Sequence, residues 1–255
     1  SRSNLTVQTG AKVTKILVED GRAIGVIYRN EQGQSVELRA RKEVILCAGT
    51  IQTPQLLELS GIGDPELLAK YGIPVVHALP RVGENYIDHF ATRMNWRIKN
   101  TLTINELAQG WRLIPAVIKY FLTRKGILTL GTGLVHGFVK TRPELETPDV
   151  QYFFMHASYA NAAERKLDKL PGMTIGVTQL RPKSQGSIHI QSADPEMQPA
   201  IRPNFMVEEE DRQSLIDGMK IARRIVEQSA MRPFVDHEMT PGSKTKTEED
   251  WEEFA

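Results

Sequence analysis

The stretch that most constrains the fold is Glu43 to Gly63, EVILCAGTIQTPQLLELSGIG, which joins an apolar run, a small-residue turn, a proline-bearing segment and a glycine stop. Val44, Ile45, Leu46 and Cys47 are four consecutive apolar residues, the pattern of a short strand covered on both faces in a parallel sheet. Ala48 and Gly49 then remove side-chain bulk at the strand's carboxyl end, where open α/β sheets receive their ligands. Thr53 and Pro54 read as the cap and first residue of a helix, Leu56, Leu57 and Leu59 as its apolar face, and Gly61 as its stop. Asp64-Pro65 opens a second short helix carrying Leu67 and Leu68, with Gly72 closing it.

Upstream, Leu5 and Val7 alternate with polar residues, Val13, Ile16 and Val18 continue the alternation, and Asp20-Gly21 and Gly33 mark turns, so residues 4–38 predict an antiparallel meander. Downstream, Asn105 to Thr123 has apolar residues at helical spacing, with Trp111 and Phe121 expected in the core and Pro115 at a kink. Four glycines between Lys125 and Arg142 suggest a mobile cover. Gly131-Thr132-Gly133 lacks the third glycine and the leading strand of a dinucleotide-binding turn. Val150 to Ala157 reads as a strand with Val150, Tyr152, Phe154 and His156 on one face and Gln151, Phe153, Met155 and Ala157 on the other. Met173 to Leu180 and the segment around Ile188 and Ile190 read as further strands. Glu208 to Ser229 is the clearest helix, acidic at its start and basic in its later part through Arg223 and Arg224, a charge run read as a solvated face and not a ligand site. Thr247 caps a last helix.

Composition excludes more than it identifies. Lys plus Arg is 32 against 31 for Asp plus Glu, so no charge bias recruits nucleic acid. The one cysteine, Cys47, sits in an apolar run as a small hydrophobe and fits a reducing, cytoplasmic setting, with peripheral membrane attachment left open. No apolar run approaches the roughly 20 residues of a transmembrane helix. Metal-ligand spacings such as H-E-x-x-H or C-x-x-C and the G-x-S-x-G elbow are absent, so no metal site is expected.

Three strings carry a family resemblance: GTIQTPQLLELSGIG at Gly49 to Gly63, LPRVGENYIDH at Leu79 to His89, and PKSQGSIHIQSADPEMQPAIRPNFM at Pro182 to Met206. Together they resemble the glucose-methanol-choline family of flavin oxidoreductases, most closely its choline and aliphatic-alcohol dehydrogenase branch, and the likeness covers almost the whole chain. Arg81 replaces a family glycine, and Tyr86-Ile87 replace Leu-Gln. The resemblance implies an α/β (α+β) fold: residues 1–90 as the later part of a Rossmann-like FAD-binding domain, and residues 91–255 as a substrate-binding domain on a mixed or antiparallel sheet flanked by helices. It implies FAD as cofactor, with Val13 meeting the adenine through its backbone and Cys47, Ala48 and Gly49 beside the flavin. Tyr152, Phe154 and His156 become pocket walls. It further implies oxidation of a choline-like or aliphatic primary alcohol to an aldehyde, with oxygen or a quinone-type carrier as acceptor and a homo-oligomer left open. The family's catalytic histidine stands in an H-P-x-G motif, which the resemblance puts beyond Ala255. None of His77, His89, His136, His156, His189 and His237 has that context, so none is assigned as catalytic, and these residues alone are expected to be inactive. A binding domain of the same shape without redox chemistry, and a hydroxynitrile-lyase-type relative, are the alternative readings.

Overall fold

The computed structural model describes residues 2–131, 133–161, 164 and 166–255. The chain divides into two compact units, residues 1–87 with 185–205 and residues 88–184 with 206–255. The sequence had placed the return segment 185–205 with the second unit.

The first unit opens with β1 (Lys12–Glu19), β2 (Arg22–Arg29) and β3 (Ser35–Arg39), an antiparallel meander in that order. Its β1–β2 turn uses Asp20 and Gly21, both at positive φ, which matches the twist of a tight hairpin. The strand predicted at Leu5 and Val7 does not form, and both side chains are exposed. Nor does the buried strand predicted at Val44–Cys47: the segment joins no ladder among the described residues, and Ile45 is 76% exposed. A buried parallel strand needs a paired neighbour and cover on both faces, and the only parallel ladder among the described residues is the two-residue pair described next.

Helix α1 (Gly49–Leu59) begins five residues earlier than Thr53-Pro54 suggested. Pro54 therefore lies inside the helix, one turn in. Gly61 does end it, at φ +81°. β4 (Ile62–Gly63) pairs in parallel with β5 (His77–Ala78) around α2 (Pro65–Lys70), whose start is as read: the Asp64 carboxylate accepts from the Glu66 and Leu67 amides. Buried Ser60 hooks the meander to α1, accepting from the Ile16 amide at 2.8 Å and donating to the Leu56 carbonyl at 2.6 Å. β6 (Glu84–Tyr86) completes this part of the chain.

The second unit contains β7 (Ala91–Ile98), α3 (Ile104–Leu107), α4 (Leu113–Thr123), β8 (Val135–Val139), β9 (Val150–Met155), β10 (Tyr159–Asn161), β11 (Lys166–Leu167) and β12 (Gly172–Gln179). The long helix predicted from Asn105 is split, because the chain leaves helical geometry at Gln109 and Gly110 takes a positive φ. Pro115 falls in the first turn of α4, where a missing N–H costs nothing, so it makes no kink. Trp111 and Phe121 are 75% and 67% exposed and not in the core. Part of the glycine-rich loop forms β8, and Thr132 of the Gly131–Gly133 run lies outside the described residues.

The chain then returns to the first unit as β13 (Gly186–His189) and β14 (Ala200–Arg202), which form a sheet in the order β14-β13-β6. Finally α5 (Glu209–Val226), β15 (Val235–Thr240) and α6 (Glu248–Phe254) finish the second unit, whose antiparallel sheet runs β15-β7-β12-β9-β8. One face of that sheet buries Met94, Trp96, Val150, Tyr152, Ile175 and Val177 against Leu215, Ile216, Met219 and Ala222 of α5. Arg223 is not the solvated charge the sequence suggested. Its guanidinium lies 4.2 Å over the Trp251 ring and makes paired bonds of 2.9 and 2.7 Å to the Glu238 carboxylate.

Helix α5 approaches the sheet closely at Gly218, where an added Cβ would lie 2.8 Å from Val177 Cγ1 and 3.1 Å from Val150 Cγ1. Gly218→Ala is therefore expected to destabilise the protein by about 1–3 kcal/mol through overpacking, read as a lower denaturation midpoint. An unchanged midpoint would mean the helix can back away freely.

Candidate functional site

Helix α1 presents an open N-terminus. Its cap, Ala48, makes no side-chain bond to the first-turn amides, and no acidic residue occupies that turn. Cys47, Ala48 and Gly49 are exposed, Gly49 has φ +80°, and nothing lies within 4 Å of where its Cβ would be. Free amides with small neighbours and a positive dipole end suit an anionic or strongly polar ligand. Thr50 and Thr53 of the same turn line a cavity of about 350 Å³ whose opposite wall includes Gly83, Glu84 and Tyr86. Cys47 is thus a surface thiol and not the packed hydrophobe expected. Val13 is 38% exposed on β1, an edge strand, and lines neither this cavity nor the one described below.

The predicted pocket face of β9 points the other way. Tyr152 is buried under α5 and donates its hydroxyl to the Gly218 carbonyl at 2.8 Å, and burial pushes its phenol pKa up. Phe154 packs against the same core. His156 is half-buried, and burial lowers its pKa, holding the ring neutral. The reason is the pleat: once Tyr152 faces α5, its alternate neighbours Phe153 and Met155 must face away. They do, lining a cavity of about 520 Å³ on the uncovered face of the sheet together with Arg93, Tyr159, Thr174 and Gly176. This cavity is thus lined by the face of β9 opposite to Tyr152, Phe154 and His156.

Ala255, the residue beyond which the catalytic histidine is expected, is itself no part of either cavity. It donates its amide to the Trp251 carbonyl at 3.0 Å and packs against the hydrophobic core of the second unit.

A carboxylate cluster that sequence reasoning missed joins α1, β6 and β13. Glu58 has no exposed side-chain surface. Its Oε1 lies 2.7 Å from His189 Nδ1, and its Oε2 accepts from the Ile190 amide at 2.8 Å. His189 Nε2 is 2.9 Å from Glu84 Oε1, so the ring needs a proton on both nitrogens to satisfy both carboxylates. Burial works against the imidazolium, but the bonds to Glu58 and Glu84 outweigh it and raise the His189 pKa. Burial likewise raises the Glu58 pKa, against the pull of His189 and the Ile190 amide. Gly83 makes room, since a Cβ there would sit 2.2 Å from the Ile188 carbonyl oxygen. An acid set among Leu56, Leu57 and Leu59 was the signal available in the sequence. His89 has a structural part, with Nε2 3.0 Å from the Leu180 carbonyl oxygen.

Two family models described as GMC oxidoreductase match residues 1–91 and 182–255. The chain belongs to the GMC oxidoreductase family. It is 35% identical over 258 residues to an oxygen-dependent choline dehydrogenase of Cronobacter sakazakii and 36% identical over 255 residues to one of Pseudomonas fluorescens. Each match covers 99% of this chain and 45% of the relative, so the chain spans just under half the length of these proteins. Among solved structures, a formate oxidase superposes with a TM-score of 0.87 at 23% identity, covering 95% of this chain and 47% of that one. A pyridoxine 4-oxidase from Mesorbium loti gives 0.81 at 20% identity, covering 99% and 45%. These likenesses establish the fold, a mixed helix-and-sheet architecture with antiparallel sheets. FAD is the cofactor of the family. No helix among the described residues is long and apolar enough to cross a membrane.

The raised His189 pKa sets a sign for pH. A histidine whose pKa is raised on folding contributes stability that is fully present below its unfolded value and lost as pH rises through the folded value. Stability is thus expected to fall as pH rises above the ordinary histidine value and through the raised one, and His189→Asn to flatten that slope in denaturant titrations. An equal slope in the variant would show that the cluster does not titrate as its geometry requires.

Proposed function

We propose that the protein oxidises a primary alcohol, choline-like or aliphatic, to an aldehyde by hydride transfer to FAD. Membership of the GMC family and the choline dehydrogenase relatives support this reading, and the observation that carries it is the cavity on the uncovered sheet face. Flavin chemistry supplies the acceptor of the hydride. The chain's own residues have two tasks in this reading. The α1 turn, through the exposed backbone of Cys47, Ala48 and Gly49, holds a polar part of the cofactor, and the Val13 backbone on the edge strand β1 meets the adenine. Phe153 and Met155 supply an apolar wall that excludes water from the reacting carbon, while Thr174 and Tyr159 offer hydroxyls for orientation. Oxidation also removes the hydroxyl proton. The base implied for that step belongs to the H-P-x-G motif, which these residues do not contain, so no side chain here is given that part. The named function of the relatives points to oxygen as electron acceptor.

Substitution at the cap separates cofactor binding from folding. Ala48→Asp adds a good N-cap and so should leave folding stability equal or higher. The same charge repels an anionic ligand, so the full-length protein is expected to retain about tenfold less FAD, read from flavin absorbance after gel filtration. Full flavin retention in Ala48→Asp would refute the placement of cofactor at this turn. In the unsubstituted protein, anaerobic addition of a primary alcohol should bleach the flavin band, and bound flavin that no alcohol bleaches would refute alcohol oxidation.

A further inference from the structure

The cavity on the uncovered face carries a sign of charge. Four residues stand in one row across four strands, because the ladder pairs His136 with Phe153, Phe153 with Gly176, and Gly176 with Arg93. Paired residues in adjacent strands project to the same face. The row therefore offers a ring, a gap and a cation in sequence. The His136 ring sits edge-on to Phe153 at 4.8 Å, and Gly176 leaves the gap between Phe153 and Arg93. An added Cβ at Gly176 would meet only ordinary contacts, at 3.7 to 4.0 Å, so backbone crowding does not demand a glycine there.

Arg93 differs from the other arginine on its face of β7. Arg97, four residues on, is bound to the Asp168 carboxylate at 2.9 Å and to the Pro171 carbonyl at 3.2 Å. Arg93 has no ion pair among the described residues, and no carboxylate lines the cavity among them. The remaining polar groups there are hydroxyls, and Thr174 spends its proton on Asn95 or the Ala157 carbonyl, both at 2.7 Å. A quaternary ammonium group is recognised by aromatic faces together with negative charge. Among the described residues that line the cavity the only full charge is positive, which repels such a group and attracts its opposite. A guanidinium presents paired donors whose spacing matches a carboxylate.

The geometry points to an alcohol that carries a carboxylate, its anionic end seated on Arg93 above Gly176 and its chain along Phe153, as the substrate class of this cavity, and away from choline. This rests on the reading of the cavity as the substrate pocket of an alcohol oxidoreductase. Within that reading it favours the aliphatic over the choline-like alcohol, and so departs from the substrate that the names of the relatives would suggest.

The test uses the full-length flavoprotein and three alcohols of similar size: choline, its neutral isostere 3,3-dimethylbutan-1-ol, and 5-hydroxypentanoate. Alongside turnover, binding of unreactive pentanoate is measured by calorimetry. The expected result is kcat/KM at least about tenfold higher for the hydroxy acid than for the neutral isostere, with choline below both. Arg93→Gln should weaken pentanoate binding at least about tenfold and narrow the ratio between hydroxy acid and isostere. Choline preferred over its isostere, or a ratio and a pentanoate affinity untouched by Arg93→Gln, overturns the inference while leaving alcohol oxidation standing. If no alcohol reduces the flavin but pentanoate still binds through Arg93, alcohol oxidation fails and the carboxylate seat survives.

Discussion

The second unit depends on one close approach. Helix α5 reaches the sheet because position 218 has no side chain, and the Tyr152 hydroxyl then finds the Gly218 carbonyl at 2.8 Å. A buried phenol without a partner would be costly, so this bond fixes the orientation of β9 as well as its position. Strand geometry does the rest. With Val150 and Tyr152 committed to the core, Phe153 and Met155 are turned to the other face, and the ladder carries that choice across to Gly176 and Arg93. The cavity and its charge follow from which face the helix covers.

In the first unit the corresponding constraint is electrostatic. Glu58 is fully buried on α1, yet both its oxygens are used, by a histidine ring and a backbone amide 131 and 132 residues further along the chain. Desolvating a carboxylate is expensive unless such partners are present. The arrangement ties the return segment to α1 and, through Glu84, to the strand that walls the smaller cavity. The open α1 terminus and this cluster thus share one helix, with Thr50 and Thr53 between them facing the cavity.

Much of the local grammar was legible in the sequence. The hairpin at Asp20-Gly21, the Asp64 cap, the Gly61 and Gly72 stops, the Thr247 cap and the α5 stripe all form as their residue types dictate. What failed was whatever depended on distant partners. Val44 to Cys47 has the composition of a buried strand, but composition does not supply the strands beside it. Trp111 and Phe121 have helical spacing without a surface to cover. For β9, both faces carry bulky residues, so alternation could not say which one meets the core, and it is the face of Tyr152 and Phe154 that does. Family membership was carried by three strings read in order, whereas Glu58 and Arg93 needed the fold to bring their partners, or the lack of them, into view.

The central claim is that substrate meets the Phe153–Gly176–Arg93 face of the sheet. Gly176→Val tests it directly, because valine suits a strand, its Cβ meets no backbone closer than ordinary contact, and its methyl groups take up the gap in the cavity floor. The account predicts a thermal midpoint close to that of the unsubstituted protein with KM for its best alcohol raised about tenfold or more. An unaltered KM in a protein of unaltered stability would contradict it.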